Sequence, residues 1–406
     1  MSERPTILFV ADAVTLAHVA RPCALAGRLD RERFSVVLAC DPRYQRFLSA
    51  LDFPTLPLPS IASERFLQAA ANGKPLYDTS TLRSYVRDDL ALLEALRPTA
   101  VVGDHRLSLS VSARVAGVPY LSVINAYWSP YTLRRLLPVP ELPISRWFGT
   151  ALAQAMFRLA WPFASAWHTA PLNRVRRDYG LPALGRDWFR AYTDADRTLY
   201  ADASELVPTS GLPATHSYLG PVPWSPAVPL PSWWDELPDD RPLIYATMGS
   251  SGDPAVLELI LGALADLPIT VVATTAARVL RAAPPANARL VDYAPGEQLA
   301  ARADLMICNG GSLTVYQCLS AGKPLIGIAA HMDQQLSMCY VEQAGVGQLL
   351  RSDQLSAATL RQAVTRMLAD QPMQQRARTL SNALADYDPA ARLSRILDEV
   401  CRHAQP

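Results

Sequence analysis

Apolar residues in this chain come in short unbroken runs rather than in strict alternation. Residues 6–11, 34–39, 100–103 and 120–124 are runs of this kind, and they suit strands buried on both faces. Between them, residues 21–29, 82–96 and 107–116 repeat apolar positions at helical spacing. Asp41 and Pro42 mark a turn after the second run. Arg97 and Pro98 close the long helix, because the residue before a proline is pushed out of the helical region. Alternation of strand and helix predicts a doubly wound parallel α/β sheet.

The pattern breaks over residues 128–190. Trp128, Trp147, Trp161, Trp167 and Trp188 fall there among helical segments such as 151–159. This segment reads as a helical insertion on a first domain covering residues 1–215. Residues 208–242 are rich in proline, which fixes φ and lacks an N–H, so neither helix nor central strand runs through them. Residues 216–242 are therefore the expected linker. A second domain, 243–385, repeats the alternation. Its strands are expected at 243–247, 270–274, 289–292, 305–308 and 325–328, and its helices at 254–265, 298–303, 313–321 and 334–344. The tail, 386–406, is amphipathic over 389–401 and is expected to pack back across the linker. Ligands in such sheets sit beyond the carboxyl ends of the strands, so two such domains face a ligand across a cleft.

Composition narrows the function. With 406 residues, half of them apolar, the chain can fill two cores. Its net charge of +1 carries no basic stripe for a nucleic acid. The cysteines at 23, 40, 308, 318, 339 and 401 are scattered and form no C-x-x-C pair, which fits reduced buried thiols. The N-terminal apolar run is too short for a signal peptide, and no stretch reaches the ~18 apolar residues of a membrane span. A cytoplasmic protein is expected, with a place at the inner face of the membrane left open.

Candidate chemistry begins at residues 305–314. A buried strand runs into Asn309, Gly310 and Gly311, and a helix starts at once with Ser312 and Thr314. Glycines let backbone approach a ligand, and the first amides of a helix attract an anion such as a diphosphate. A plain strand-to-helix turn would look the same. Further on, Asp333 and Gln334 follow another strand end. A carboxylate and an amide there can bridge neighbouring sugar hydroxyls, or Asp333 can simply cap a helix.

These residues resemble the nucleotide-sugar-dependent GT-B glycosyltransferases that act on macrolides, glycopeptides, lipids and plant metabolites. That family reads roughly H-x-G-x-[GN]-[ST]-x-x-E-A-x-x-x-G-x-P, then D-Q, then G-x-G. This chain reads N-G-G-S-L-T-V-Y-Q-C-L-S-A-G-K-P from Asn309 to Pro324, then Asp333-Gln334, then Gly345 to Gly347. The Leu-Thr-Val after the glycines is also similar to the lipid-intermediate GlcNAc transferases. The resemblance implies the GT-B fold, two Rossmann-like domains, with the acceptor held by the first and the nucleotide sugar by the second. It implies donor contacts from Ser250 and Ser251 in the Gly-Ser loop, Tyr293 near the nucleobase, the segment from Asn309 through Thr314, Gln317 at the ribose, and Asp333 with Gln334 at the sugar. Two positions depart from the family: Asn309 stands where it has histidine and Gln317 where it has glutamate. A UDP- or TDP-sugar is the expected donor, with a GDP-sugar left open.

Transfer needs a base for the acceptor hydroxyl. Histidine suits that role, and His18 lies where the family reads G-H-x-x-P, with Ala17 replacing the glycine. Asp104, at a later strand end, is the implied partner that orients the ring. Direct displacement with one base predicts inversion at the anomeric carbon. Asp12 and His105 are rival bases. No metal or cofactor is called for beyond the nucleotide-sugar co-substrate. Asp194 and Asp196 form a D-x-D, the metal-binding motif of another fold, and are not expected to bind one here. Trp128 and Tyr131 are candidate acceptor contacts. The tryptophan segment, with Arg134, Arg135, Arg158, Arg174, Arg176 and Arg177, either walls a small-molecule or lipid acceptor pocket, meets a membrane surface, or is plain helical core. A dinucleotide oxidoreductase is excluded, since residues 11–15 after the first strand hold no glycine. A nucleotide-sugar epimerase of the same architecture and a non-catalytic sugar-binding protein remain the alternatives.

Overall fold

The computed structural model describes residues 4–47, 51–133, 137–141, 145, 147, 149–250 and 252–404. Ser251, Arg134 and Arg135 lie outside the described residues. The chain divides into two compact units. The first comprises residues 1–135, 151–222 and 387–406, and the second residues 136–150 and 223–386.

In the first unit, seven strands form one sheet: β1 (Thr6–Ala11), β2 (Ser35–Cys40), β3 (Thr55–Pro57), β4 (Ala100–Asp104), β5 (Tyr120–Ile124), β6 (Arg197–Tyr200) and β7 (His216–Tyr218). Their order is β3-β2-β1-β4-β5-β6-β7, and every neighbouring pair is parallel. Helices α1 (Leu16–Gly27), α2 (Ser63–Ala71), α3 (Thr79–Leu96), α4 (Leu109–Ala116), α5 (Thr150–Asp178) and α6 (Trp188–Tyr192) accompany it. Order reverses at β1 and β4, the topological switch point. The turns after these two strands lead to opposite sides and leave a crevice for a ligand.

The second unit repeats the plan with β8 (Leu243–Thr247), β9 (Thr270–Thr274), β10 (Ala288–Val291), β11 (Leu305–Cys308), β12 (Leu325–Ala329) and β13 (Gly347–Arg351). Strand order is β10-β9-β8-β11-β12-β13, all parallel. Its switch point lies between β8 and β11. Its helices are α7 (Pro254–Leu264), α8 (Gly296–Arg302), α9 (Ser312–Ser320), α10 (Met332–Gln343), α11 (Ala357–Ala369) and α12 (Gln371–Ala385). The last helix, α13 (Pro389–Ala404), returns to the first unit. Its Leu393, Leu397 and Cys401 join the core of Ile7, Phe9, Val19 and Cys23.

The sequence pattern misplaces several boundaries. Helix α1 starts at Leu16 instead of 21, and Pro22 sits inside it. Proline is favoured in a first turn, which draws the expected start downstream. Here it only removes the amide that would bond the His18 carbonyl. The cap of α10 is His331, not Asp333, which lies in the first turn. Edge strand β7 falls within the proline-rich stretch, in a gap that holds no proline, and an edge tolerates such neighbours. The tryptophan segment is dominated by α5, which contains Pro162 and Pro171.

Two stability predictions follow from this packing. Leu397→Ala empties a fully buried site and should lower unfolding free energy in urea by about 2–5 kcal/mol, whereas exposed Arg395→Ala should be nearly silent. His168 stacks on Trp188 with ring centres 3.9 Å apart, and its Nε2 lies 3.2 Å from the Gly73 carbonyl. Burial pushes its protonation down to about 4. The unfolded chain therefore binds a proton that the folded chain refuses. Stability from this site is complete above about pH 6.5 and declines as pH falls toward 4. Urea midpoints at pH 7.5 and 5 should separate less in His168→Gln than in the unmodified protein; an unchanged separation contradicts the assignment.

Candidate functional site

The switch point of the first sheet gathers the chemistry predicted for the first unit. Asp104 ends β4 and is fully buried. Its Oδ1 lies 2.9 Å from Nδ1 of His18, in the first turn of α1. One turn along, Arg21 donates Nε to Oδ2 at 2.8 Å and Nη2 to Oδ1 at 3.0 Å. The third donor of Arg21, Nη1, reaches Asn125 Oδ1 at 2.7 Å, and Asn125 Nδ2 donates to Asp202 at 3.1 Å. A carboxylate that accepts from Nδ1 fixes the histidine tautomer, so Nε2 carries the lone pair. His18 remains partly exposed at 17%, against 0% for Asp104, which leaves the ring accessible from one side.

The rival bases are placed differently. Asp12 is fully buried, and its two oxygens accept from the hydroxyls of Tyr77 and Tyr85. His105 follows β4 with φ at 58°, in the left-handed region, where a non-glycine residue is uncommon and often marks a functional turn. Its ring packs on His18, with centres 4.3 Å apart, and on Phe66 and Tyr192. Burial holds His105 well below the ordinary imidazole range, with His18 and Arg21 adding to the effect. A neutral, weakly basic His105 walls the crevice, while His18 is the ring with a carboxylate behind it.

In the second unit, β11 ends at Cys308; Asn309, Gly310 and Gly311 form the turn, and α9 begins at Ser312. Gly310 has φ of 79°, and a Cβ there would lie 2.7 Å from Met338 Cγ. Only glycine meets both demands. Gly311 is the cap residue and offers no side chain to the first-turn amides of α9. Asn309 Oδ1 accepts from the Gly311 amide at 3.1 Å. On the other side of the switch point, the loop after β8 brings Gly249, with φ of 59°, against the Asn309 amide. Ser250 is half-buried, and its carbonyl accepts from Arg278. The amide-rich turn expected to hold a diphosphate thus sits at the topological ligand position.

Remaining donor candidates lie nearby with varied commitments. Gln317 Nε2 donates to Trp224 O at 2.7 Å and to Ser225 Oγ at 3.2 Å, so its amide nitrogen serves the protein. Gln317 Oε1 faces Gly296, where a Cβ would lie 2.8 Å away. Tyr293 donates to Ala276 O at 3.2 Å. Thr314 is half-buried in the first turn of α9. Asp333 is exposed, whereas Gln334 is buried and accepts from the Ala330 amide at 3.0 Å. Trp128 is also buried, against Trp188 and Tyr192. Tyr131 is half-buried with its ring on His216. Asp194 lies between Arg114 and Arg176, and Asp196 accepts from the Tyr120 amide, so both carboxylates of the D-x-D hold the fold.

Comparison with known proteins adds the family. The model for the erythromycin biosynthesis protein CIII-like C-terminal domain matches residues 258–398. A PGL/p-HBAD biosynthesis glycosyltransferase of Mycobacterium tuberculosis (strain H37Ra) is 50% identical over 383 residues, 94% of this chain and 89% of the relative. The chain belongs to the PGL/p-HBAD biosynthesis glycosyltransferase family. A PGL/p-HBAD biosynthesis rhamnosyltransferase of Mycobacterium bovis (strain BCG) is likewise 50% identical, over 94% of this chain and 85% of the relative. Among solved structures, the spinosyn rhamnosyltransferase SpnG complexed with thymidine diphosphate superposes with a TM-score of 0.70 at 19% identity. That match covers 98% of this chain and 100% of the other, and the shared fold is GT-B.

Within this glycosyltransferase, sequence reasoning missed Arg21, Asn125 and Asp202, and the tyrosines that hold Asp12. Arg21 had a visible signal: it stands three residues after His18 on the same helix face. Gln335 was missed as well. It is fully buried, and neither amide atom has a partner among the described residues.

Asp104→Asn leaves the Arg21 guanidinium buried without its counter-charge and should cost about 3–5 kcal/mol of stability. His18→Ala leaves Asp104 still paired with Arg21 and should cost less, about 0.5–1.5 kcal/mol. Urea unfolding of the two variants side by side checks this difference; equal costs would contradict it.

Proposed function

We propose that this glycosyltransferase moves a sugar from a TDP- or UDP-sugar to a hydroxyl of a lipid or other natural-product acceptor, with inversion at the anomeric carbon. His18 takes the acceptor proton on Nε2 as the oxygen attacks. Asp104 holds the ring and stabilises the imidazolium, and Arg21 holds Asp104 in place through two hydrogen bonds. The observation that carries this reading is the 2.9 Å contact between His18 Nδ1 and Asp104 at the switch point of the first sheet. A positioned base of this kind contributes about 10²–10⁴-fold.

The leaving diphosphate is received by the amides in the first turn of α9, with hydroxyls from Ser312, Thr314, Ser250 and Ser251. Preorganised donors stabilise charge that develops only as the bond breaks, so the scheme calls for no metal. Asp333 and Gln334 hold sugar hydroxyls, Tyr293 lies toward the base, Gln317 Oε1 toward the ribose, and Trp128 and Tyr131 toward the acceptor. The rhamnosyltransferase name of one relative favours a rhamnosyl group, and the thymidine diphosphate in the structural neighbour favours TDP. The protein works in the cytoplasm, which its unpaired cysteines suit, and meets the membrane surface through the segment around α5.

His18→Ala should lower kcat by about 10²–10⁴-fold while the melting temperature stays near that of the unmodified protein. TDP or UDP should raise that temperature in both proteins. Near-normal transfer by His18→Ala would remove the base assignment; no stabilisation by either nucleotide would remove the donor assignment. EDTA should leave the rate unchanged.

A further inference from the structure

Helix α5 has two apolar faces, and only one is covered. Ala153, Trp161, Ser165, Thr169, Leu172 and Val175 are buried, with Leu172 and Val175 in the cluster that also holds Tyr77 and Tyr85. On the opposite side, Leu152, Met156, Leu159, Phe163 and Trp167 recur at spacings of four, three, four and four residues. That spacing keeps them on one stripe of a helix. All five are exposed, Leu159 at 81% and Phe163 at 77%. Single exposed apolar residues are common, but a continuous stripe marks a docking surface.

Charge decides what docks there. Beyond Ala170 and Pro171, two turns past Trp167, the same face carries Arg174 and Arg177, both exposed, and Arg158 is exposed as well. The helix holds no acidic residue before Asp178, and Asp178 pairs with Arg83. A second copy packing the same face of α5 against it would bring the same arginines and no carboxylate to meet them. Anionic lipid headgroups supply the missing charge, while acyl chains receive leucine, phenylalanine and tryptophan. Among the described residues no helix is long and apolar enough to cross a membrane, so α5 would lie in the surface rather than span it.

We propose that the stripe formed by Leu152, Met156, Leu159, Phe163 and Trp167, with Arg174 and Arg177, docks this protein on an anionic bilayer. The inference deepens the lipid-acceptor reading above and rests on it for its purpose. The C-terminal half of α5, through Leu172 and Val175, packs in the cluster that holds Tyr77 and Tyr85, and Tyr77 meets His105 at 3.2 Å. An acceptor whose tail stays in the bilayer could then present its hydroxyl to the first unit without leaving the lipid.

Vesicle flotation tests it. The unmodified protein should float with vesicles of phosphatidylglycerol and phosphatidylcholine at low salt, and far less with phosphatidylcholine alone or at high salt. Leu159→Ser with Phe163→Ser should lower partitioning roughly tenfold or more, and Arg174→Glu with Arg177→Glu roughly thirty-fold or more. Both double variants should keep their melting temperature and their rate on a water-soluble acceptor, because every changed residue is exposed and lies outside the proposed catalytic groups. Failure of the unmodified protein to float, or flotation of both variants at the unmodified level, overturns the proposal. So does light scattering that shows a dimer broken by the serine variant, which would assign the stripe to a second copy. Flotation without transfer to any hydroxyl acceptor would refute the catalytic reading and leave docking intact.

Discussion

One buried carboxylate organises the first unit. Asp104 stands at the end of a central strand, out of contact with solvent, and accepts from both His18 and Arg21. A carboxylate this deep is stable only when it is paired and fully hydrogen-bonded. Arg21 supplies a buried counter-charge, and Asn125 with Asp202 satisfies the far end of its guanidinium. With that pairing in place, Asp104 can hold the histidine ring in one tautomer. The proposed base is therefore built from the core outward.

The second unit offers a different kind of site, one suited by its turn and helix start to negative charge. It uses backbone rather than side chains. Gly310 lets the chain turn left-handed against α10, and Gly311 begins α9 without a side chain over its amides. Each unit places its candidate chemistry at the same topological point, beyond the strands where sheet order reverses. That coincidence follows from the fold, because only there do consecutive loops turn to opposite sides.

Much of this was legible in the sequence. Unbroken apolar runs at residues 6–11, 120–124, 243–247 and 305–308 became central strands, because parallel sheets bury both faces. The glycine turn, Asp104 and His18 were legible through spacing and family resemblance. What escaped depended on contacts between distant segments. Arg21 reaches Asp104 across 83 residues and Asn125 across 104, and no local pattern records such a partnership. Short edge elements also escaped: β3 has three residues, too few for periodicity to register. Pro22 misled the placement of α1, since the pull of proline toward a first turn outweighed the weak signal of the residues before it. The packing of Trp128 on Trp188 and Tyr192 is another such partnership between distant segments.

The most direct measurement is the tautomer of His18. Imidazole nitrogen NMR on protein labelled at histidine, with His18 assigned by substitution, reports which ring nitrogen carries the proton. The account requires neutral His18 with Nδ1 protonated toward Asp104 and Nε2 unprotonated, and loss of that preference in Asp104→Asn. A neutral ring protonated at Nε2 would contradict it, because the nitrogen meant to take the acceptor proton would already hold one.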